Sequence, residues 1–280
     1  MKILVPLDGS DFSRGTLAFL ASRKTFLAEH PALDLINVQP PLPARAGALM
    51  SKEALAGYYE EESANAFEAS GTVPESRAVR TALVGHPAEV IAREAENRGA
   101  DLIVMGSHGM SGFSELLFGS VTMGVLARSH IPMLVLRNTP PADKDVKVVF
   151  CVDGSDESRA AVKFALEHRS LFGETPNFIL VHVSPTVVSS GADGAELASK
   201  KEFEAAMDKV RPLFAAIGVV PEEVALTGTP GDAVATFAGT RNAGFLVMGS
   251  HGYGRLKSLL LGSTALRIAS QTKIPLLIVR

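Results

Sequence analysis

Two glycine loops with identical spacing contain the residues best suited to chemistry. Gly106-Ser107-His108-Gly109 is followed nine residues later by Gly119-Ser120, and Gly249-Ser250-His251-Gly252 is followed nine residues later by Gly262-Ser263. Each loop lies between an apolar run typical of a strand and a helical pattern. Glycines let a ligand approach the backbone, and the amides of a helix N-terminus attract anions. The pattern therefore indicates a phosphate site.

The same loops also have a purely structural interpretation, because a strand that turns sharply into a helix needs glycine whatever it binds. Neither loop reads G-x-x-x-x-G-K-[ST] or G-x-G-x-x-G, which argues against a standard NTPase and a dinucleotide-dependent dehydrogenase. Ser107 and His108 suggest a nucleophile and base, but adjacent residues rarely point the right way and no orienting acid lies at a recognisable spacing. We expect capping or phosphate contact from them and predict no catalytic residue.

The loops belong to an internal repeat. Residues 83–137 and 226–280 align without a gap, and 21 of the 55 aligned pairs are identical. The copies also open alike, with Asp8-Gly9-Ser10 matching Asp153-Gly154-Ser155. A polar, proline-bearing stretch joins them, as is common between domains. We predict one domain over 1–138 and a second over 146–280.

Short apolar runs alternate with helical patterns in each copy. The predicted strands are 3–7, 35–38, 78–84, 102–105 and 133–136, then 148–152, 178–183, 224–226, 245–248 and 276–279. We expect the first helix to reach about His30 and Pro87 to open a helix that ends at Gly99. Apolar strands that alternate with helices predict an α/β fold, two tandem doubly wound domains with parallel sheets. Ligands of such sheets bind beyond the carboxyl ends of the strands.

Composition excludes several classes of function. The net charge of -3 and the absence of a basic stripe argue against nucleic-acid binding. The single cysteine, Cys151, excludes an internal disulfide and a cysteine-rich zinc site, and it favours a reducing cytosol. Pro6 and Asp8 interrupt the first apolar run, so we expect no signal peptide. No apolar segment approaches the ~18–20 residues of a membrane span. We therefore predict a cytoplasmic protein.

The pattern G-x-x-G-(nine residues)-G-S, after a strand ending Val-Met in a domain that opens with strand-Asp-Gly-Ser, resembles the ATP-binding branch of the universal stress protein family. The resemblance covers nearly the whole chain, in the tandem form of that family. It implies a five-stranded parallel sheet with helices on both faces in each copy, the adenine nucleotide alpha hydrolase-like fold. It also implies that the two copies pair through their last strands and leaves a homodimer open.

The resemblance further implies that the Asp after strand one contacts the nucleoside, a strand-two valine lines the adenine pocket, and the glycine loop with its serine holds ribose and phosphates. In the first copy the implied residues are Pro6, Asp8, Val38, Met105, Gly106, Gly109, Gly119, Ser120 and Val121. In the second copy they are Asp153, Val183, Met248, Gly249, Gly252, Gly262 and Ser263, with Arg255 as a nearby cation. Cys151 stands where the first copy has Pro6, and Thr264 where it has Val121.

The acids after strand one have three interpretations. Asp8 and Asp153 could ligate Mg²⁺ carried with ATP, contact the ligand directly, or cap the following helix. Their position at the carboxyl end of a strand favours contact with the ligand. We predict no separate metal site.

The nine-residue inserts of the two loops differ in charge. Residues 110–118 contain one acid, Glu115, and neither lysine nor arginine, whereas 253–261 contain Arg255 and Lys257. A cation beside a triphosphate strengthens binding and an acid weakens it. We predict that the second copy binds triphosphate more tightly.

The function that these patterns favour is a stress-response sensor that binds ATP, with AMP or ADP as alternative ligands. Any hydrolysis should be slow, because the sequence shows neither a base positioned for an attacking water nor an arginine finger. Two other hypotheses remain: a nucleotide hydrolase or nucleotidyl transferase on the same fold, and a nucleotide-free interaction module.

Overall fold

The computed structural model describes residues 1–47, 49–73, 77–108, 118–137, 143–184, 192–250 and 262–280. The chain divides into two compact units, Met1–Pro140 and Pro141–Arg280. Within the described residues, no helix combines the length and the apolar composition that a bilayer crossing requires.

The first unit is a parallel sheet with helices between its strands. Its strands are β1 (Lys2–Pro6), β2 (Ala32–Gln39), β3 (Arg77–Val84), β4 (Leu102–Gly106) and β5 (Met133–Leu136). Its helices are α1 (Asp11–Ser22), α2 (Lys24–Ala28), α3 (Ala44–Gly47), α4 (Lys52–Ser70), α5 (Pro87–Asn97) and α6 (Ser120–Arg128). The strands lie in the order β3-β2-β1-β4-β5, and the neighbouring pairs are parallel.

The second unit repeats this topology. Its strands are β6 (Lys147–Cys151), β7 (Asn177–Ser184), β8 (Glu222–Thr227), β9 (Phe245–Gly249) and β10 (Leu276–Val279), in the parallel order β8-β7-β6-β9-β10. Its helices are α7 (Asp156–Glu167), a 3₁₀ helix (Arg169–Phe172), α8 (Ala192–Asp208), α9 (Arg211–Ala215), α10 (Pro230–Thr240) and α11 (Ser263–Gln271). The predicted fold class, two tandem doubly wound α/β domains, is confirmed.

The order of the strands determines where a ligand can bind. In each unit the chain starts in the central strand of the sheet and adds the next two strands toward one edge. It then crosses to the other side of the central strand, where it forms β4 in the first unit and β9 in the second. The winding therefore reverses between β1 and β4, and between β6 and β9, which opens a crevice at the carboxyl ends of these strands. The central strands are inaccessible to solvent at 3–5 and 148–150, as apolar runs buried on both faces require.

The first helix and the second strand differ most from the sequence prediction. The first helix does not reach His30: it ends at Ser22, and Arg23 leaves the helical conformation with φ -85° and ψ 69°. The Arg23 side chain is fully buried, with its guanidinium carbon 4.7 Å from the ring centre of Phe19. The second strand begins at Ala32, three residues earlier than predicted. The prediction started too late because the polar Asp34 interrupts the apolar run, whereas in the structure Asp34 is buried and pairs with Leu4 of β1.

The contact between α5 and α6 corresponds to that between α10 and α11, but the crowded glycine lies on the second helix of the pair in the first unit and on the first helix in the second unit. In the first unit, a Cβ added at Gly124 of α6 would lie 2.5 Å from the Cβ of Ala88 on α5. In the second unit, a Cβ added at Gly231 of α10 would lie 2.7 Å from the Cβ of Arg267 on α11. The repeat aligns Ala88 with Gly231 and Gly124 with Arg267. Each helix pair therefore has room for a side chain at only one of the two positions.

We expect Gly124→Ala to lower the free energy of unfolding by about 1–3 kcal/mol, because overpacking outweighs the higher helix propensity of alanine. Adding Ala88→Gly should restore most of this loss by recreating the arrangement of the second unit. Chemical denaturation of the full chain measures both effects. Gly15→Ala in α1 is the control, since nothing lies within 4 Å of its added Cβ. If Gly124→Ala proved as stable as Gly15→Ala, the packing argument would be incorrect.

Candidate functional site

A cavity of about 840 Å³ lies at the carboxyl ends of the strands of the first unit. Eight of the nine residues predicted for the first copy line it: Pro6, Asp8, Val38, Met105, Gly106, Gly119, Ser120 and Val121. The ninth, Gly109, lies outside the described residues, as do Gly252 and Arg255 of the second copy. The structure thus brings the described residues of the first copy together around one cavity. Their role in binding stays a prediction.

The N-terminus of α6 lies at the wall of this cavity. Gly119 precedes the helix and has no side chain that could accept from its first turn, and Ser120, Val121 and Thr122 line the wall. The first N–H groups of a helix lack acceptors within the helix and carry a partial positive charge, which suits an anion.

Hydrogen bonds hold the start of α6 against the end of β4. The Gly119 amide donates to the Ser107 carbonyl oxygen at 2.7 Å. The Thr122 hydroxyl is 3.1 Å from the carbonyl oxygens of both Gly106 and Ser107. In the second unit the Gly262 amide donates to the Ser250 carbonyl oxygen at 2.9 Å. These contacts hold the end of β4 and the start of α6 together in the first unit.

Close packing accounts for three glycines of the motif, Gly106, Gly119 and Gly249. A Cβ at Gly106 would lie 2.5 Å from the Cβ of Phe12, and one at Gly249 would lie 2.9 Å from the Cβ of Glu157. A Cβ at Gly119 would lie 3.2 Å from the Ser107 carbonyl oxygen. The structural interpretation of these glycines is thus sufficient, and the argument for a ligand depends on the cavity instead.

Asp8 lies in a tight turn and does not cap α1. Its Oδ1 accepts hydrogen bonds from the Ser10 amide at 3.0 Å and from the Ser13 hydroxyl at 2.7 Å. The cap is Ser10, whose hydroxyl accepts from the Ser13 amide. The capping interpretation of Asp8 is therefore wrong, and its exposed carboxylate is held at the cavity wall.

Asp153 occupies the same turn in the second unit. Its Oδ1 accepts from the Ser155 amide at 3.0 Å and from the Ser155 hydroxyl at 2.6 Å, and Ser155 caps α7. Both turns require glycine, since Gly9 and Gly154 have φ of +81°. The other described residues predicted for the second copy lie at the matching strand ends and helix start: Val183, Met248, Gly249, Gly262 and Ser263.

Ser107 and His108 do point toward each other, contrary to the argument from their adjacency. The Ser107 hydroxyl oxygen lies 3.0 Å from Nδ1 of His108. Ser107 is only 1% exposed and is absent from the cavity wall, whereas His108 lines it. The serine is therefore placed to orient the imidazole and not to attack a ligand.

Several wall residues were missed by sequence reasoning. Glu62, Asn65 and Ala69 come from α4, and Asn37 and Gln39 come from the end of β2. They lack a motif of their own, and only the packing of α4 beside β2 brings them to the cavity. For the β2 residues, the sequence signal is the alternation of polar Asn37 and Gln39 with apolar Val38 at the end of a strand.

Asn37 connects three parts of the first unit from a buried position. Its amide nitrogen donates to the Leu7 carbonyl oxygen at 2.7 Å, directly before Asp8. Its side-chain oxygen accepts from the Ser63 hydroxyl at 2.9 Å and from the Gln39 side chain at 3.0 Å. Asn37 thereby fixes the end of β1 relative to α4.

The second unit uses a histidine at this place. Nδ1 of His182 lies 2.8 Å from the Val152 carbonyl oxygen, which precedes Asp153. The His182 ring makes an edge-type contact with that of Phe203 on α8, with 6.3 Å between ring centres and 71° between ring planes. An aromatic contact thus replaces the polar one that joins Asn37 to Ser63.

Among the described residues, no cluster of three or more His, Cys, Asp or Glu side chains could hold a metal ion. Cys151 ends β6 at the position of Pro6. Burial, and secondarily the charge of Asp153, raises the pKa of its thiol to about 12.

We expect Asn37→Ala to lower the free energy of unfolding by about 2–3 kcal/mol, because it leaves buried polar groups without partners. Asn65→Ala, at an exposed wall position on α4, is the matched control and should change stability by less than about 0.5 kcal/mol. Denaturant unfolding compares the two. Equal stability of the two variants would show that the Asn37 hydrogen bonds contribute nothing.

We expect Cys151 to react with iodoacetamide at pH 8 at least tenfold more slowly than a free thiol, because a raised pKa leaves little thiolate. The rate should rise about tenfold per pH unit up to pH 10, below the pKa of about 12. Mass spectrometry follows the labelling, and urea-unfolded protein provides the reference. Native labelling as fast as that reference would refute the raised pKa.

Comparisons with known proteins agree with this architecture. The model of the universal stress protein family matches residues 1–137 and again 146–280. A universal stress protein of Methanocaldococcus jannaschii is 35% identical over 142 residues, which cover 49% of this chain and 81% of that protein. One of Thermus aquaticus is 31% identical over 135 residues, which cover 48% of this chain and 97% of that protein.

Among solved structures, a universal stress protein from Archaeoglobus fulgidus aligns with a TM-score of 0.65 and 23% identity, covering 100% of this chain and 96% of that one. That likeness shows the shared fold. With two matches of the family model that together span nearly the whole sequence, this chain belongs to the universal stress protein family.

Proposed function

We propose that this universal stress protein binds an adenine nucleotide at the carboxyl ends of the strands in each domain. It would act in the cytoplasm as a sensor whose occupancy changes its conformation or its partners. The observation that carries the proposal is the cavity of the first domain, which combines apolar walls, a fixed carboxylate and a helix N-terminus.

The chemistry of the wall fits the parts of such a nucleotide. Pro6, Val38 and Met105 supply apolar surface for a base, and Asp8 supplies a carboxylate that can accept from ribose hydroxyls. The amides at the start of α6 suit phosphate. Three to five such hydrogen bonds at roughly 1.5–3 kcal/mol each would reach the ~8 kcal/mol of micromolar binding.

A magnesium ion would arrive with the nucleotide phosphates. Mg²⁺ keeps several waters and takes one or two carboxylates, so Asp8 fits as a single protein ligand. The proposal includes no catalytic step, because the Ser107 hydroxyl does not line the cavity.

We expect purified protein, once denatured, to release one to two adenine nucleotides per chain, identified by chromatography. Calorimetric titration of the emptied protein with ATP, ADP and AMP should give saturable binding. Val38→Trp should lower the stoichiometry by one site, because the indole occupies the cavity. Val84→Trp, at a position 47% exposed and away from the wall, is the matched control and should bind like the parent.

Absence of released nucleotide and of binding heat at millimolar concentrations would overturn the proposal and favour an interaction module. Linear turnover of ATP that Asp8→Asn abolishes would favour the hydrolase hypothesis. Binding that Val38→Trp leaves at full stoichiometry would place any nucleotide site elsewhere.

A further inference from the structure

Gln39 is a half-buried amide at the wall of the first-domain cavity, and its neighbours fix it in place. It is the last residue of β2, and its carbonyl oxygen accepts from the Gly85 amide at 2.9 Å. Its side chain belongs to the hydrogen-bond network of Asn37. Both the backbone and the side-chain amide of Gln39 are therefore held before any ligand arrives.

The network also determines which way each amide is turned. The Leu7 carbonyl oxygen can only accept, so Asn37 must direct its amide nitrogen at it. Oδ1 of Asn37 then faces Gln39, which must present its Nε2 hydrogen, at 3.0 Å. If Gln39 turned over, two amide oxygens would face each other.

The atom that this arrangement leaves available is Oε1 of Gln39. Within the described part of the chain, no group donates a hydrogen bond to it. One hydrogen of Nε2 is also left over, because an amide nitrogen carries two and Asn37 takes one. Gln39 therefore offers a ligand one acceptor and one donor, in a fixed order.

The order of the strands indicates which part of a nucleotide meets Gln39. The strands β2, β1 and β4 lie side by side, and neighbouring strands are about 4.8 Å apart. The start of α6 follows β4, Asp8 follows β1, and Gln39 ends β2. Because ribose lies between the base and the phosphates, phosphate at α6 and ribose at Asp8 place the base at the end of β2.

Val38 and Gln39 line the cavity together, although successive side chains leave a strand on opposite faces. The cavity therefore passes around the end of β2. Val38 offers apolar surface to a base, and Gln39 is the polar side chain of the same strand that lies next to it. An atom on the polar edge of the base is the natural partner of Oε1.

The group at position 6 of a purine decides whether this contact is favourable. Adenine carries a 6-amino group, which donates, whereas hypoxanthine and guanine carry a 6-oxo group, which accepts. A glutamine amide complements adenine by accepting from the 6-amino group and donating to a ring nitrogen. A 6-oxo group in the same place would face Oε1 oxygen to oxygen.

We infer that Gln39 selects 6-aminopurine over 6-oxopurine nucleotides in the first domain, and that Asn37 acts as the positioning residue that orients it. The inference rests on the proposed function and names the contact that makes the site specific for adenine. In the second domain, His182 and Ser184 stand at the positions of Asn37 and Gln39. The selection is therefore a property of the first domain.

The test compares ATP with inosine triphosphate, which carries a 6-oxo group in place of the 6-amino group. Calorimetry on the emptied, full-length chain measures both dissociation constants. The Val38→Trp variant measures binding outside the first cavity, which is subtracted. We expect ATP to bind the first site about ten- to a hundredfold more tightly than inosine triphosphate, as one amide pair with a base allows.

Two variants separate contact from positioning. Gln39→Met keeps the length of the side chain but removes the amide, so it should weaken ATP and reduce the preference to about threefold or less. Asn37→Ala lets Gln39 turn its Nε2 toward a 6-oxo group, so inosine triphosphate should bind more tightly than it does to the parent. A merely structural effect would weaken both ligands alike.

The control is Asn97→Met, which removes an exposed amide at the end of α5, away from the wall. It should leave the preference unchanged. Thermal unfolding verifies each variant, and Gln39→Met decides the matter by itself where Asn37→Ala unfolds the domain.

The outcomes separate this inference from the proposed function. Binding of neither nucleotide overturns the proposed function, and this inference with it. Equal binding of ATP and inosine triphosphate, or a preference that Gln39→Met leaves intact, overturns this inference alone. If Gln39→Met changed the discrimination of ATP from 2′-deoxyATP instead, Gln39 would contact the ribose and the inference would be wrong. A preference that Gln39→Met removes and Asn97→Met retains supports both.

Discussion

The hydrogen bonds between the end of β4 and the start of α6 are the constraint on which the candidate site depends. The Ser107 carbonyl oxygen accepts from the Gly119 amide and from the Thr122 hydroxyl, so the helix must begin beside the strand end. The first-turn amides of α6 consequently lie at the reversal of the winding, where a doubly wound sheet is open. Without this closure the helix dipole would have no defined relation to Asp8.

The two domains share this backbone arrangement of strand end and helix start, and they differ in the side chains around it. Both have the Asx-type turn after the first strand and a helix that a glycine precedes. Yet the link from the central strand to its helical neighbour is Asn37 with Ser63 in one domain and His182 with Phe203 in the other. Because backbone hydrogen bonds hold the frame, the side chains around it were free to diverge after duplication.

The glycine motif illustrates how a binding signature can have a packing cause. Gly106 is forced by the approach of Phe12, and Gly249 by that of Glu157, whether or not a ligand is present. The recurrence of these glycines therefore follows from the contact between the first helix and the fourth strand of each domain. What favours a ligand is the cavity itself, together with the helix N-terminus at its wall.

The fold and much of the candidate site could be predicted from the sequence, because strands buried on both faces are continuous apolar runs and parallel strands end at one edge. Asp8 and Gly119 follow from that rule, Val38 follows from the resemblance to the family, and the two domains follow from the internal repeat. Only the tertiary structure decided the rest. The helix ends before the buried Arg23, where no helix-stop signal stands in the sequence, and the wall from α4 comes from packing between elements distant in sequence. Local periodicity specifies which face of a helix is buried but not what that face meets.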